Sequence, residues 1–240
     1  MPSPLLLVMP GLLTACEPGE TVTEILLTGH VLDEQDEEAG PIPEATIELR
    51  DGNTEAYSEA TTDEDGAFSI AAPAGDNIYV SLSADGYTTT AFTGATSYSD
   101  VEVEDGTLWM RSEAQVDVLR NLFDGCSLDD GGIVEGEVRV YIPDQDADEL
   151  PLVTTAYAVA YTPDGDAYEA CYLDDEGNSD PEATQTGNTG RFAIFGLPEA
   201  PLTVYLNYDP GAGDAIERVF YVYLPENGIA PLYPAYVELP

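Results

Sequence analysis

Apolar and polar residues alternate along most of this chain with the period of two that marks a strand with one face buried. The pattern is clear in Ala45-Thr46-Ile47-Glu48-Leu49, in Ile78-Tyr79-Val80-Ser81-Leu82 and in Leu202-Thr203-Val204-Tyr205-Leu206. Short turns punctuate it, among them Asp51-Gly52 and Asp85-Gly86, so the elements are short strands at regular intervals. Strands are expected at 25–31, 45–49, 56–61, 67–70, 78–82, 87–92, 101–103 and 108–109, and again at 133–140, 153–162, 167–172, 190–195, 202–208, 216–224 and 233–239. One segment breaks the period. In 111–124, Val116, Leu119 and Phe123 follow helical spacing, Ser112 and Gln115 form a capping box, and Gly125 is placed to end the helix.

Part of this pattern occurs twice. Thr61-Thr62-Asp63-Glu64-Asp65-Gly66-Ala67-Phe68-Ser69-Ile70 reappears in outline as Gly187-Asn188-Thr189-Gly190-Arg191-Phe192-Ala193-Ile194. Fourteen residues beyond each turn glycine comes a valine within an alternating strand, Val80 and Val204. An opening glycine, Gly29 or Gly136, precedes each copy, and the second interval is longer by about 17 residues, which fall most simply in the acidic loops 143–151 and 173–189. A fixed run of turn and strand used twice implies two modules. The expected architecture is all-β: two tandem seven-stranded β-sandwiches, at 24–110 and 132–240, joined by a helical linker at 111–131.

The charge narrows the partners. With 47 acidic side chains against 6 basic ones, all arginine, the formal net charge is −41. Such a surface repels nucleic-acid phosphates and anionic lipid headgroups, so nucleic acid is excluded as a partner. The N-terminus adds a compartment. Residues 5–13 form an apolar run too short to span a bilayer but suited to a secretory signal. Leu13-Thr14-Ala15-Cys16 then resembles the lipobox of bacterial lipoproteins, although no Lys or Arg precedes the apolar run. That resemblance implies a signal peptide over 1–16, lipidation of Cys16, attachment to a membrane through the lipid, and residence at the bacterial cell envelope, with the outer membrane the expected site. Two cysteines then remain, Cys126 and Cys171. In an exported chain an even remainder suggests a disulfide, with two free buried thiols as the alternative.

Gly29-x-Val31, Pro41-Ile42-Pro43-Glu44-Ala45-Thr46-Ile47, Thr62-Asp63-x-x-Gly66-x-Phe68 and Val80-Ser81-Leu82-Ser83-Ala84-Asp85-Gly86-Tyr87 together resemble the carboxypeptidase regulatory-like domain. The resemblance is good over 25–93 and looser over 133–240. It implies a transthyretin-like (or Ig-like) sandwich that serves as an accessory module on secreted or surface proteins, and it brings no catalytic residues. Related collagen-adhesin repeats carry an internal Lys–Asn isopeptide bond, which a chain without lysine cannot form.

Catalytic signatures are missing. The chain's one histidine, His30, lies in an expected strand, and one histidine cannot furnish the two that zinc proteases or two-histidine iron sites require. No nucleophile elbow and no phosphate-binding glycine loop occurs. The chain is read as a non-enzyme with no required cofactor. Calcium is the one metal the sequence admits, through Asp144, Asp146 and Asp148 in one acidic loop and Asp174, Glu176 and Asp180 in another, all hard oxygen donors. The competing reading is a pair of solvated acidic loops. Finally, the second module is rich in tyrosine (157, 161, 168, 172, 205, 208, 221 and 223), which offers either ordinary strand packing or an exposed platform for sugars. The expected role is accessory, structural or adhesive at the envelope, with glycans or envelope proteins as partners. A carbohydrate-binding module is the rival.

Overall fold

The computed structural model describes residues 23–34, 40–104, 107–126, 130–142, 145, 150–208 and 215–238. The first module contains β1 (Glu24–His30), β2 (Leu32–Asp33), β3 (Thr46–Arg50), β4 (Ala56–Thr61), β5 (Ala67–Pro73), β6 (Asn77–Ser83), β7 (Thr90–Ala95), β8 (Val101–Glu102) and β9 (Trp109–Met110). Sheet β5-β1-β8 faces the row β7-β6-β3-β4, and the two-residue strands β2 and β9 pair beside them. The inward residues of the alternating pattern fill the space between: Leu27, Ile47, Leu49, Phe68, Ile70, Val80 and Leu82. Burying each such side chain contributes about 1.5–3 kcal/mol, which is what fixes the register.

Helix α1 (Glu113–Leu122) forms where its capping box predicts. The Ser112 hydroxyl accepts from the Gln115 N–H while the Gln115 side chain accepts from the Ser112 N–H. Its apolar stripe, Val116, Leu119 and Phe123, packs on Ile133, Leu173 and Phe195 of the following strands, so the helix belongs physically to the second module.

That module contains β10 (Gly132–Tyr141), β11 (Ala156–Tyr161), β12 (Ala167–Glu169), β13 (Cys171–Leu173), β14 (Ser179–Asp180), β15 (Arg191–Leu197), β16 (Ala200–Tyr208), β17 (Ile216–Leu224) and β18 (Ile229–Glu238). Sheet β12-β11-β16-β17 packs over β14-β13-β15-β10-β18. The single strand expected at 167–172 is divided at Ala170, because β12 pairs with β11 in one sheet and β13 with β15 in the other. The switch drives Tyr172 into the core, where its hydroxyl accepts from the Ala158 N–H at 2.8 Å and burial pushes its phenol well above the usual range.

The duplicated motif has one physical meaning in both modules. Val31 N–H donates to Gly66 O and Val138 N–H donates to Gly190 O, each at 2.9 Å, and both turn glycines have positive φ, 72° and 64°. A buried threonine then ties each module shut. The Thr62 hydroxyl donates to Ile42 O and accepts from Ala45 N–H; the Thr186 hydroxyl donates to Val153 O and accepts from Ala156 N–H. The opening glycines lie opposite the motif phenylalanines, Gly29 facing Phe68 and Gly136 facing Phe192. A Cβ on Gly136 would come within 2.6 Å of the Phe192 ring, so only glycine lets that ring lie over the strand.

The modules are fused rather than strung on a linker. Thr90 of β7 pairs with Ile229 of β18, which makes β14-β13-β15-β10-β18-β7-β6-β3-β4 a continuous nine-stranded sheet.

Candidate functional site

Strict alternation in three adjacent strands sorts the tyrosines of the second module into two sets. On β16 and β17, Leu202, Val204, Leu206, Val222 and Leu224 point inward and are buried. Their neighbours therefore share the outer face. The register places Tyr157 of β11 beside Asn207 of β16 and Glu217 of β17, then Val159 beside Tyr205 and Val219, then Tyr161 beside Thr203 and Tyr221. Tyr157, Tyr161 and Tyr205 enclose a shallow groove of about 460 Å³ above Val159, with Thr203, Asn207 and Glu217 contributing its polar rim. The Tyr161 and Tyr205 rings meet edge to face, centroids 5.6 Å apart, an arrangement favoured by the aromatic quadrupole. Tyr161 is 37% exposed and Tyr221 60%. Burial, then the nearby Glu169 and Tyr161, raise the pKa of Tyr157, so its hydroxyl stays protonated at neutral pH and can donate.

Four further tyrosines of this module have other partners. Tyr172 is core, Tyr168 and Tyr208 pack against the core, as Tyr157 also does while lining the groove, and Tyr223 lies under the Arg50 guanidinium, 4.4 Å from its ring centroid, with its hydroxyl donating to Glu199. The groove is thus a subset of the tyrosines the sequence offers. Its signal was the shared parity of Tyr157, Tyr161, Tyr205 and Tyr221 across three strands, which cannot be assembled until the register is known.

A second concavity of about 720 Å³ lies where the modules meet, lined by Leu27, Val80, Phe92, Trp109, Val222 and Leu232 among others. Around it run the contacts that hold the modules together. The Thr93 hydroxyl donates to Tyr221 O at 2.9 Å, and the Arg111 guanidinium bridges Glu34 of the first module and Glu135 of the second. Arg111 also sits over the Trp109 ring, 5.0 Å from its centroid. Glu135 is buried, and burial raises its carboxyl above the usual range against the opposing pull of Arg111 and Arg191. Burial alone would lower the Arg111 pKa; its hydrogen bonds and charge pairing with Glu34 and Glu135 hold it above the ordinary value. This buried Glu–Arg–Glu arrangement is a structural clamp. No local pattern marks it, since Glu34, Arg111 and Glu135 lie 77 and 24 residues apart along the chain.

The remaining candidate residues are placed as follows. Cys126 and Cys171 are bonded to each other, with Cα atoms 6.1 Å apart, and tie the end of α1 to β13. Cys16 and the aspartates 144, 146 and 148 lie outside the described residues. Asp174, Glu176 and Asp180 do not converge, and no group of three or more potential metal-holding side chains occurs among the described residues. Asp174 instead organises its own turn: its Oδ1 accepts from the Glu176 and Asn178 N–H groups, and those hydrogen bonds, led by that from Asn178, lower its pKa. Asp63 and Asp51 do the same in the first module, and Asp180 accepts from Glu182 N–H. Several carboxylates of these oxygen-rich loops are thus turned back onto the chain, accepting from backbone N–H groups of their own turns. His30 is half-buried on β1 opposite Ala67.

Residues 27–108 match the family model of the carboxypeptidase regulatory-like domain. No curated protein is detectably similar to the chain. Among solved structures, the chain is similar to the Bacillus anthracis TIE protein at 15% identity and TM-score 0.28, over 90% of this chain and 34% of that one. It is similar to 3-chlorocatechol 1,2-dioxygenase from Rhodococcus opacus 1CP at 10% identity and TM-score 0.29, over 40% of this chain and 62% of that one. It is also similar to GBS52, the minor pilin of Streptococcus agalactiae, at 14% identity and TM-score 0.30, over 90% and 97% of the two chains. The chain therefore spans about a third of the TIE protein and less than two thirds of the dioxygenase.

Proposed function

With residues 27–108 a carboxypeptidase regulatory-like domain, we propose that this chain is a non-catalytic protein of the bacterial cell envelope, held through lipid on Cys16, with an accessory or adhesive role exercised by the outer face of its second module. The observation that carries this reading is the tyrosine groove of Tyr157, Tyr161 and Tyr205, a concave aromatic surface on a sheet whose opposite face seals the core. Tyr161 is exposed and Tyr157 and Tyr205 are half-buried beside it, and an aromatic concavity with a few polar groups at its rim is the usual make-up of a recognition surface. The Cys126–Cys171 bond supports an oxidising compartment, which suits export. The fused junction supports a rigid support for that face. The narrower reading, a carbohydrate-binding module, is favoured by the same groove.

Anchoring has its own test. Expressed in a bacterial host with an alkyne analogue of palmitate, the full chain is expected to take up label and enter the detergent phase on Triton X-114 partition, whereas Cys16→Ser is expected to lose both. A Cys16→Ser chain that still enters the detergent phase contradicts the anchor.

A further inference from the structure

We infer that the groove formed by Tyr157, Tyr161 and Tyr205 binds an uncharged glycan, whose sugar rings stack on the tyrosine faces while Asn207 and Glu217 bond their hydroxyls. This deepens the adhesive reading above by naming its ligand class and rests on it.

The groove's chemistry selects the ligand. Tyrosine offers a flat apolar face edged by a hydroxyl, and a pyranose offers the complement, a face of C–H bonds ringed by hydroxyls. Tyr161 is 37% exposed and its ring stands at 88° to that of Tyr205, so the two rings wall the groove at right angles and offer a corner of apolar surface rather than a flat platform. The polar row is ordered by register: Tyr157, Asn207 and Glu217 lie side by side across three strands. An amide both donates and accepts, and a carboxylate accepts, so together they match neighbouring hydroxyls, each of which can do either.

Charge excludes the competitors. At −41 the chain repels a second copy of itself, nucleic acid, anionic lipid and acidic polysaccharides such as polyuronates. Within the groove Glu217, and beside it Glu169, which pairs with Val159, set the same sign locally. A proline-rich peptide also lies well on aromatic grooves. Its prolines lack N–H groups, however, so it would cover Asn207 and Glu217 while returning few of the hydrogen bonds they lose to desolvation. A glycan returns them.

The test is affinity electrophoresis of the full chain in native gels containing hydroxyethylcellulose, xylan, galactomannan or a soluble β-1,3-glucan, with polygalacturonate as the charged control and a fluorescent proline-rich peptide titrated separately. Retardation is expected in at least one neutral polysaccharide and not in polygalacturonate. Removing stacking surface by Tyr161→Ala or Tyr205→Ala is expected to weaken it roughly tenfold per ring, whereas Tyr161→Phe keeps the ring and stays within about threefold of the parent. Circular dichroism melting of each variant identifies any that misfold, and the phenylalanine variant carries the comparison if alanine is not tolerated. Absence of retardation in all four neutral polysaccharides, undiminished retardation in the folded alanine variants, or binding to the peptide alone overturns the assignment. Those outcomes leave the adhesive reading standing if the chain still binds envelope material through this face.

Discussion

Replacing Arg111 with methionine is expected to destabilise the protein by about 3–5 kcal/mol at neutral pH, the usual result of removing one partner from a buried ion pair. Arg111 and Glu135 have side chains only 12% and 5% exposed, and Glu34 closes the bridge from the first module. Methionine fills much of the volume but leaves Glu135 buried and charged. The effect has a predictable pH dependence. Burial already raises the Glu135 pKa above its ordinary 4.5, with Arg111 opposing the rise. A carboxyl raised in the folded state favours folding below its unfolded value, and that contribution is lost as pH climbs through the folded value. Without Arg111 the rise is larger. The penalty is therefore largest near pH 7 and shrinks as pH falls toward 4.5. Urea unfolding of both proteins at several pH values checks this; a penalty independent of pH would mean that Glu135 is not the group left exposed to the loss.

The second large effect concerns Cys126 and Cys171. The bond closes a loop of 45 residues, and on the chain-entropy account such a loop restricts the unfolded state by about 4 kcal/mol. Replacing both cysteines with serine is expected to lower stability by a large part of that amount, with loss of the docking of α1 on Ile133 and Phe195. The intact chain treated with reductant should move in the same direction and the double variant should not respond. If reductant leaves the melting temperature of the intact chain unchanged, the bond contributes nothing to stability.

Much of this architecture was legible because it is periodic. The alternation at 45–49, 78–82 and 202–208 gave the strands, and the Ser112–Gln115 box gave the helix start. The duplicated Gly-x-Phe motif was visible too, although its buried threonine was not: Thr62 and Thr186 both stand four residues before the turn glycine, a spacing that becomes meaningful once their hydroxyls are seen to join two backbone segments. What stayed hidden was pairing between distant residues. Nothing local marks Ala170 as the place where the chain changes sheets, or Thr90 as the partner of Ile229. The site shows the same division. Parity along β17 put Tyr221 and Tyr223 on one face, but only the fold shows that Arg50 covers Tyr223 while Tyr221 stays open. Composition alone suggested that Asp174 was available to a cation, and its hydrogen bonds to Glu176 and Asn178 put that oxygen to work within the turn.

The most direct measurement is co-sedimentation of the full chain with envelope polysaccharide that has been stripped of membrane by detergent, compared with the Tyr161→Ala/Tyr205→Ala chain. If the outer face of the second module is the working surface, the parent sediments with the polysaccharide and the double variant stays in the supernatant while melting at the parent's temperature. Equal sedimentation of the two folded proteins would contradict it and move the interaction to another part of the molecule.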